Sequence, residues 1–335
     1  METIRLGPLR ITPTSKPVYI FEAGINHNGN ALMARQLAFS AKEAGAQVVK
    51  FQLHLPAQEM LPGHPLWDVL SETALDIHQM AELKRQAEDL GLVFLCTPFC
   101  REAADQLESI GVVGYKMGSG ELNNLPLQVH VSRKGKPMIV STGMSVYEEV
   151  VTTAAYIAAN NQQLVLMNCA STYPATPIQS RLKRIDLLQR IGFMVGQSDH
   201  TPTISTCLGA IARGAVIIEK HVTLDKGMKG PDHAASITPG EFGQMVRMGN
   251  EVWEGLQATD ADLGGILEGE RPVRAWANHC LVARRDLTVG HVLAWDDLDT
   301  RRPGSEGIPA AMIGEMIGLA SRGPLRAGQP VPLDP

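Results

Sequence analysis

Apolar residues fall in eight short runs along the first two thirds of the chain: VYIFEAG (18–24), VVKFQL (48–53), VFLCTP (93–98), GYKMGS (114–119), MIVSTG (138–143), LVLMNC (164–169), MVGQSD (194–199) and VIIEKHVT (216–223). Most of the gaps carry a helical period, as in ALMARQLAFSAKEAGA (31–46) and MAELKRQAEDLGL (80–92). Runs apolar at consecutive positions read as parallel strands covered on both faces. Eight of them alternating with helices over about 250 residues predict an α/β protein of the (β/α)8 (TIM) barrel class. A doubly wound open sheet is the alternative, but no GxGxxG follows the first run.

The remaining patterns divide the chain. IRLGPLRIT within residues 1–16 reads as a small hairpin about Gly7-Pro8. GHPLWDVLSETALD (63–76) lengthens the second gap and reads as a lid, a dimer contact or a plain surface loop. Thr238-Pro239-Gly240-Glu241 resembles a helix start, and the Gly- and acid-rich TDADLGGILEGERP (259–272) reads as a linker. From 273 to 335 the short alternating segments predict a small β-rich domain. The expected division is therefore a barrel over 1–258, a linker over 259–272 and the small domain over 273–335.

The unit from Phe193 to Thr223 organises the rest. It reads strand, helix, strand, with 20 residues between His200 and His221, room for one crossover helix. Alternation sets Ser198 with His200 on one face and Glu219 with His221 on one face. Any single histidine reads first as a hydrogen-bonded core residue. Two at the ends of neighbouring strands read as a ligand pair for a divalent metal, with positions left open for substrate oxygens.

Barrel chemistry gathers at carboxyl ends of strands. Those positions give Glu22, Lys50 and Gln52, Thr97, Lys116, Ser119 and Glu121, Ser141 and Thr142, Ser171 and Tyr173, then Ser198, His200, Glu219 and His221. Singly, each has an ordinary reading: Lys50 a solvated end, Ser141 a turn former, Glu22 a partner for Lys50. Two lysines with serines and a threonine at one mouth describe an anion site, since a phosphate needs positive charge and several donors. GSG (118–120) and STG (141–143) add backbone N–H groups that a ligand can approach closely. Cys96 and Cys100 read as packing residues, and His27, His54 and His233 as weaker metal candidates.

Composition narrows the partners. Hydrophobic residues make up 44% and charged residues 19%, with a formal net charge of −5 and no Lys/Arg-rich block. This fits a core-forming globular protein and argues against nucleic acid or an anionic membrane as partner. No apolar run approaches the ~20 residues of a membrane span, and the five cysteines show no CxxC pairing. The expectation is a soluble, cytoplasmic, reduced protein.

At this point the motifs resemble a known family, the sialic acid synthases and their relatives that make other nonulosonic acids. The resemblance rests on EAGINHNG (22–29), VVKFQ (48–52), CTPF (96–99), YKMGSGELNN (115–124), STGM (141–144), TYPATP (172–177), GQSDHT (196–201), EKHVT (219–223), GPDHAAS (230–236) and RRPG (301–304). It covers the whole chain, and the small domain resembles the antifreeze-like (SAF) module that ends these enzymes. The resemblance implies condensation of phosphoenolpyruvate with an open-chain N-acyl mannosamine sugar, assisted by a divalent metal, Mn2+ or Mg2+. It implies His200 and His221 as metal ligands, and Lys50, Thr97, Lys116, Ser119, Ser141, Ser171 and Ser198 around phosphoenolpyruvate. Glu22, Asp232 and His221 become the catalytic set, and Gln52, Glu121, Tyr173, Asp232 and Arg302 hold the sugar. Arg302 would reach the partner's barrel in a domain-swapped homodimer. Asn168 and Ser171 stand where sialic acid synthases proper often have His and Asn in an HCTN-type run. Ser171 is closer to relatives that act on modified or 6-deoxy sugars, such as legionaminic acid synthases using 2,4-diacetamido-2,4,6-trideoxymannose. GPDHAAS differs from the pseudaminic acid branch.

Two other readings stay open. A metal-dependent aldolase or hydrolase on the same barrel would usually show an HxH pair on the first strand, which here ends in Glu22. A non-catalytic protein, with the barrel as scaffold, would have little use for so complete a set of strand-end groups.

Overall fold

The structure, a computed structural model, describes residues 3–332. The chain forms two compact units, Met1–Gln257 and Ala258–Pro335. In the first, a hairpin of β1 (Ile4–Leu6) and β2 (Leu9–Ile11) precedes eight strands: β3 (Val18–Gly24), β4 (Val48–Leu53), β5 (Val93–Pro98), β6 (Tyr115–Met117), β7 (Met138–Ser141), β8 (Leu164–Cys169), β9 (Met194–Asp199) and β10 (Ile217–His221). All neighbouring pairs are parallel, in the order β5-β4-β3-β10-β9-β8-β7-β6. The sheet is a nearly closed barrel. Among the described residues, the seam between β5 and the three-residue β6 carries no ladder.

The strands read as apolar because both faces are buried, but the two faces do different jobs. Tyr19, Phe21, Val49, Phe51 and Phe94 turn outward and pack with the helices. Val18, Ile20, Val48, Val93, Leu95, Ile139, Val165 and Ile217 turn inward and fill the lower barrel. Alternation then carries the next inward positions, Glu22, Lys50, Thr97, Lys116, Ser141, Ser198 and Glu219, into the upper lumen. The hairpin supplies Ile4, Leu6 and Ile11 to the inner cluster. It presses so closely that a Cβ on Gly114 would lie 2.5 Å from Leu6 Cδ1 and 3.0 Å from Pro137 O, so a side chain there would have to displace the leucine.

The helices begin where their caps dictate. Asn30 accepts from Leu32 N and Met33 N to open Ala31–Glu43. Asp76 and Gln79 form a capping box for Ile77–Asp89, as Thr238 and Glu241 do for Pro239–Gly255. The segment read as a lid or loop carries a short helix, Trp67–Thr73. No helix among the described residues is long and apolar enough to cross a membrane.

In the second unit β11 (Cys280–Ala283) pairs antiparallel with β12 (Leu298–Arg301). Leu281, Leu287, Leu293, Leu298, Ile308 and Val331 belong to its small core. Asp297 is buried among them. It accepts from Arg285 Nε (2.9 Å), His291 Nε2 (2.7 Å) and Ala294 N (3.0 Å). The stretch read as a linker is partly helical, with Asp260–Leu263 inside it and Glu270–Ala277 overlapping its end.

Candidate active site

At the carboxyl end of the barrel lies a cavity of about 1320 Å3. Its floor is a ring of buried charges. Lys50 Nζ sits 2.8 Å from Glu22 Oε1, 3.8 Å from Glu219 Oε1 and 3.2 Å from Thr97 Oγ1. Lys116 Nζ lies 3.3 Å from Glu219 Oε1 and donates to Ser141 Oγ at 2.8 Å, while Ser198 Oγ donates to Glu219 Oε1 at 3.1 Å. Burial pushes the Glu22 carboxyl above the usual carboxylate range, only partly offset by Lys50. Burial would raise Glu219 too, but the Lys116 and Lys50 ammoniums hold it down at about 2. The ring therefore sets one carboxyl held down by the ammoniums beside one raised by burial. Glu22 Oε2 and Glu219 Oε2 are buried and unpartnered.

Beside Lys116 the loops supply donors. Ser119 Oγ accepts from Gly143 N at 3.1 Å. A Cβ on Gly143 would lie 2.3 Å from Ser171 Oγ and 2.7 Å from Ser119 Oγ, so this glycine keeps a small polar cradle open. Ser119, Ser141 and Ser171 all line the cavity.

The ends of β9 and β10 hold the imidazoles, with Cys169 Sγ 3.9 Å from both Ser171 Oγ and His200 Nδ1. The His200 and His221 rings are 5.2 Å apart, and Tyr173 packs 4.1 Å from His200 and 5.9 Å, edge-on, from His221. His200 Nδ1 donates to Ala170 O at 2.7 Å; in the neutral ring the lone pair is then on Nε2. Burial lowers His221 to about 4, keeping it a neutral imidazole. Its Nδ1 is unpartnered, with Asp232 Oδ2 3.4 Å away. Two neutral-capable nitrogens facing one polar cavity fit a divalent cation that takes its other ligands from substrate and water. Among the described residues no group of three or more His, Cys, Asp or Glu could hold a metal, so the pair would supply two protein ligands.

Gln52 Nε2 donates to Glu22 Oε1 at 2.8 Å, and Glu121 accepts from Asn124 at 2.7 Å; both residues line the cavity, with Tyr173 and Asp232. The barrel thus brings together the site residues named from the sequence except two: Thr142, buried away from the cavity with its hydroxyl on Met167 O and Arg184, and Arg302, an exposed residue of the second unit beside β12. Asn168 turns outward, donating to Ser180 O (2.9 Å) and Gln197 Oε1 (2.8 Å), whereas Ser171 lines the cavity. His54, set aside as a weak metal candidate, bridges Gln52 Oε1 and Glu59 Oε2, each at 3.0 Å, and stacks on Phe99. Cys100 also lines the cavity. Glu219, the hub of the lysine ring, was visible as a strand-end residue; its shared role needed the closed barrel.

Fold and site define a barrel protein whose mouth gathers two buried lysines, a set of serines and paired imidazoles. Residues 37–260 match the NeuB family and residues 279–334 the SAF domain. The chain belongs to the NeuB family. It is 34% identical to an N,N'-diacetyllegionaminic acid synthase of Legionella pneumophila, over 92% of this chain and 91% of that one. It is 29% identical to the human N-acetylneuraminate-9-phosphate synthase, over 94% and 91%. A solved N-acetylneuraminic acid (sialic acid) synthetase from Leptospira borgpetersenii superposes with a TM-score of 0.77 at 27% identity, over 81% of this chain and 95% of that one.

Proposed function

We propose that the chain condenses phosphoenolpyruvate with an open-chain N-acyl mannosamine-type sugar to give a nonulosonic acid and phosphate. The observation that carries this is the buried Lys50–Glu219–Lys116 ring, with serines, the Gly143 N–H and the imidazole pair around it. Lys50 and Lys116 balance the phosphate and carboxylate charges, while Ser119, Ser141 and Ser171 donate around them. In the reaction C3 of the enol bonds to the aldehyde carbon, water adds at C2, and phosphate leaves. Glu22, with its raised pKa, is suited to take a proton from that water. Gln52 fixes the Glu22 carboxyl, and Tyr173 with Asp232 borders the sugar. A divalent cation, Mn2+ or Mg2+, held by His200 and His221 would polarise the sugar aldehyde.

A second reading of the sugar is favoured by the outer wall. Met60, Leu66, Val69 and Leu70 line it together with Glu59, Glu102 and Glu121, against Arg101. An apolar, acid-bearing wall suits a neutral 6-deoxy sugar with a second acyl group, such as 2,4-diacetamido-2,4,6-trideoxymannose, better than a sugar phosphate. We extend the reading to a homodimer in which exposed Arg302 meets the sugar in the partner's barrel.

Phosphate release on mixing the protein with phosphoenolpyruvate, manganese and each candidate sugar tests the reaction. No release with any N-acyl mannosamine would refute it. A higher kcat/KM for N-acetylmannosamine than for the diacetamido sugar would remove the second reading. His221→Ala should abolish metal-dependent turnover while the melting temperature holds.

A further inference from the structure

The outward faces of the barrel strands are apolar along most of their length, as packing against helices requires. Behind the two histidines this rule is broken. Asp199 on β9 and Lys220 on β10 face outward, 2% and 0% exposed, and the ladder sets them directly opposite one another. Lys220 Nζ donates to Asp199 Oδ1 and Thr201 O, and to Thr203 O at 3.0 Å. Asp199 Oδ1 also accepts from Thr201 Oγ1 at 2.7 Å and Thr201 N at 3.0 Å. The lysine thus ties β10 to β9 and to the turn that leaves His200.

A buried ion pair needs a reason, because an apolar pair of similar volume is often as stable or more so. Position supplies one. Asp199 immediately precedes His200, and Lys220 immediately precedes His221. In a pleated strand, fixing an outward side chain fixes the direction of its inward neighbour. We infer that Lys220 and Asp199 are positioning residues that set, from the helix side, the register and tilt with which His200 and His221 face one ion. The inference rests on the metal reading given above.

The test uses the full chain, substrate-free, with Mn2+ binding followed by electron paramagnetic resonance and stability by thermal melting. Lys220→Met should lower the melting temperature and weaken Mn2+ about 10- to 100-fold, the usual scale for groups that orient ligands. The double variant Lys220→Met/Asp199→Leu should regain most of the melting temperature, because no charge is left unpaired, yet stay at least about tenfold weak for Mn2+. Its phosphoenolpyruvate affinity should match the parent protein. Parental Mn2+ affinity in the double variant would overturn the proposal and leave the pair a plain structural tie. If neither variant folds, Asp199→Asn keeps the volume and removes the charge, and unchanged Mn2+ affinity there overturns it equally. His221→Ala separates the two failures: if it binds Mn2+ as the parent does, the metal reading itself falls and this inference with it.

Discussion

Replacing Lys116 by Met removes one of the two cations in the lumen with little change in volume. Lys116 Nζ stands 3.3 Å from Glu219 Oε1 and 2.8 Å from Ser141 Oγ. In the variant Glu219 keeps Lys50 at 3.8 Å and Ser198 at 3.1 Å. Because one cation remains, the stability loss should stay below the ~3–5 kcal/mol typical of an orphaned buried charge. Binding is hit harder. One charge-assisted hydrogen bond to the anion is worth about 1.5–3 kcal/mol, which converts to roughly a 10- to 150-fold rise in KM for phosphoenolpyruvate. The sugar, on the imidazole side, should change little. Steady-state phosphate release with each substrate varied in turn reads both constants, and calorimetry of phosphoenolpyruvate binding without sugar checks the first directly. Equal weakening of both substrates would show that Lys116 merely holds the barrel together, and the anion assignment would fail.

Three further outcomes are expected. Gly143→Ala places a methyl against Ser171 Oγ and Ser119 Oγ, so phosphoenolpyruvate affinity should fall at least about tenfold while melting stays close to the parent; undiminished affinity would show that the cradle does not receive the anion. In the second unit, hydrogen bonds from His291 and Arg285 hold Asp297 at about 2. The native carboxyl is depressed, so its stabilisation is complete above the unfolded pKa, near 3.9, and is lost as pH falls towards 2; Asp297→Asn should remove that acid sensitivity from amide exchange of Cys280–Ala283 and cost about 2 kcal/mol at neutral pH. Mixing Arg302→Ala chains with His221→Ala chains should restore part of the activity in verified heterodimers, and no recovery would sink the in-trans role of the arginine.

The barrel was legible because parallel strands covered on both faces leave uninterrupted apolar runs, and a lysine or glutamate inside such a run marks its inward register, with Lys220 on β10 the exception. Lys50 and Gln52, Lys116, and Glu219 with His221 fixed β4, β6 and β10 in this way. β8 carries no such marker: LVLMNC is apolar on both parities until Asn168, so the sequence could not say that Asn168 turns to the helices and Cys169 to the lumen. His54 lies one residue past the end of β4 but keeps the parity of Lys50 and Gln52, and its side chain lines the cavity with theirs. The Lys220–Asp199 pair was hidden for the opposite reason. Both residues sit beside the imidazoles in sequence, and only the pleat separates them from the cavity.

The hairpin β1–β2 has a bearing on how those lumen charges behave. With Ile4, Leu6 and Ile11 in the inner cluster, the lower end of the barrel is stoppered with hydrocarbon. Fields among Lys50, Lys116 and Glu219 therefore run through hydrocarbon below and meet solvent above. A chain lacking its first eleven residues would let water rise behind the lysines, raise the local dielectric and weaken every charge interaction at the floor at once. The first strands of the chain thus belong to the electrostatics of a site they never touch.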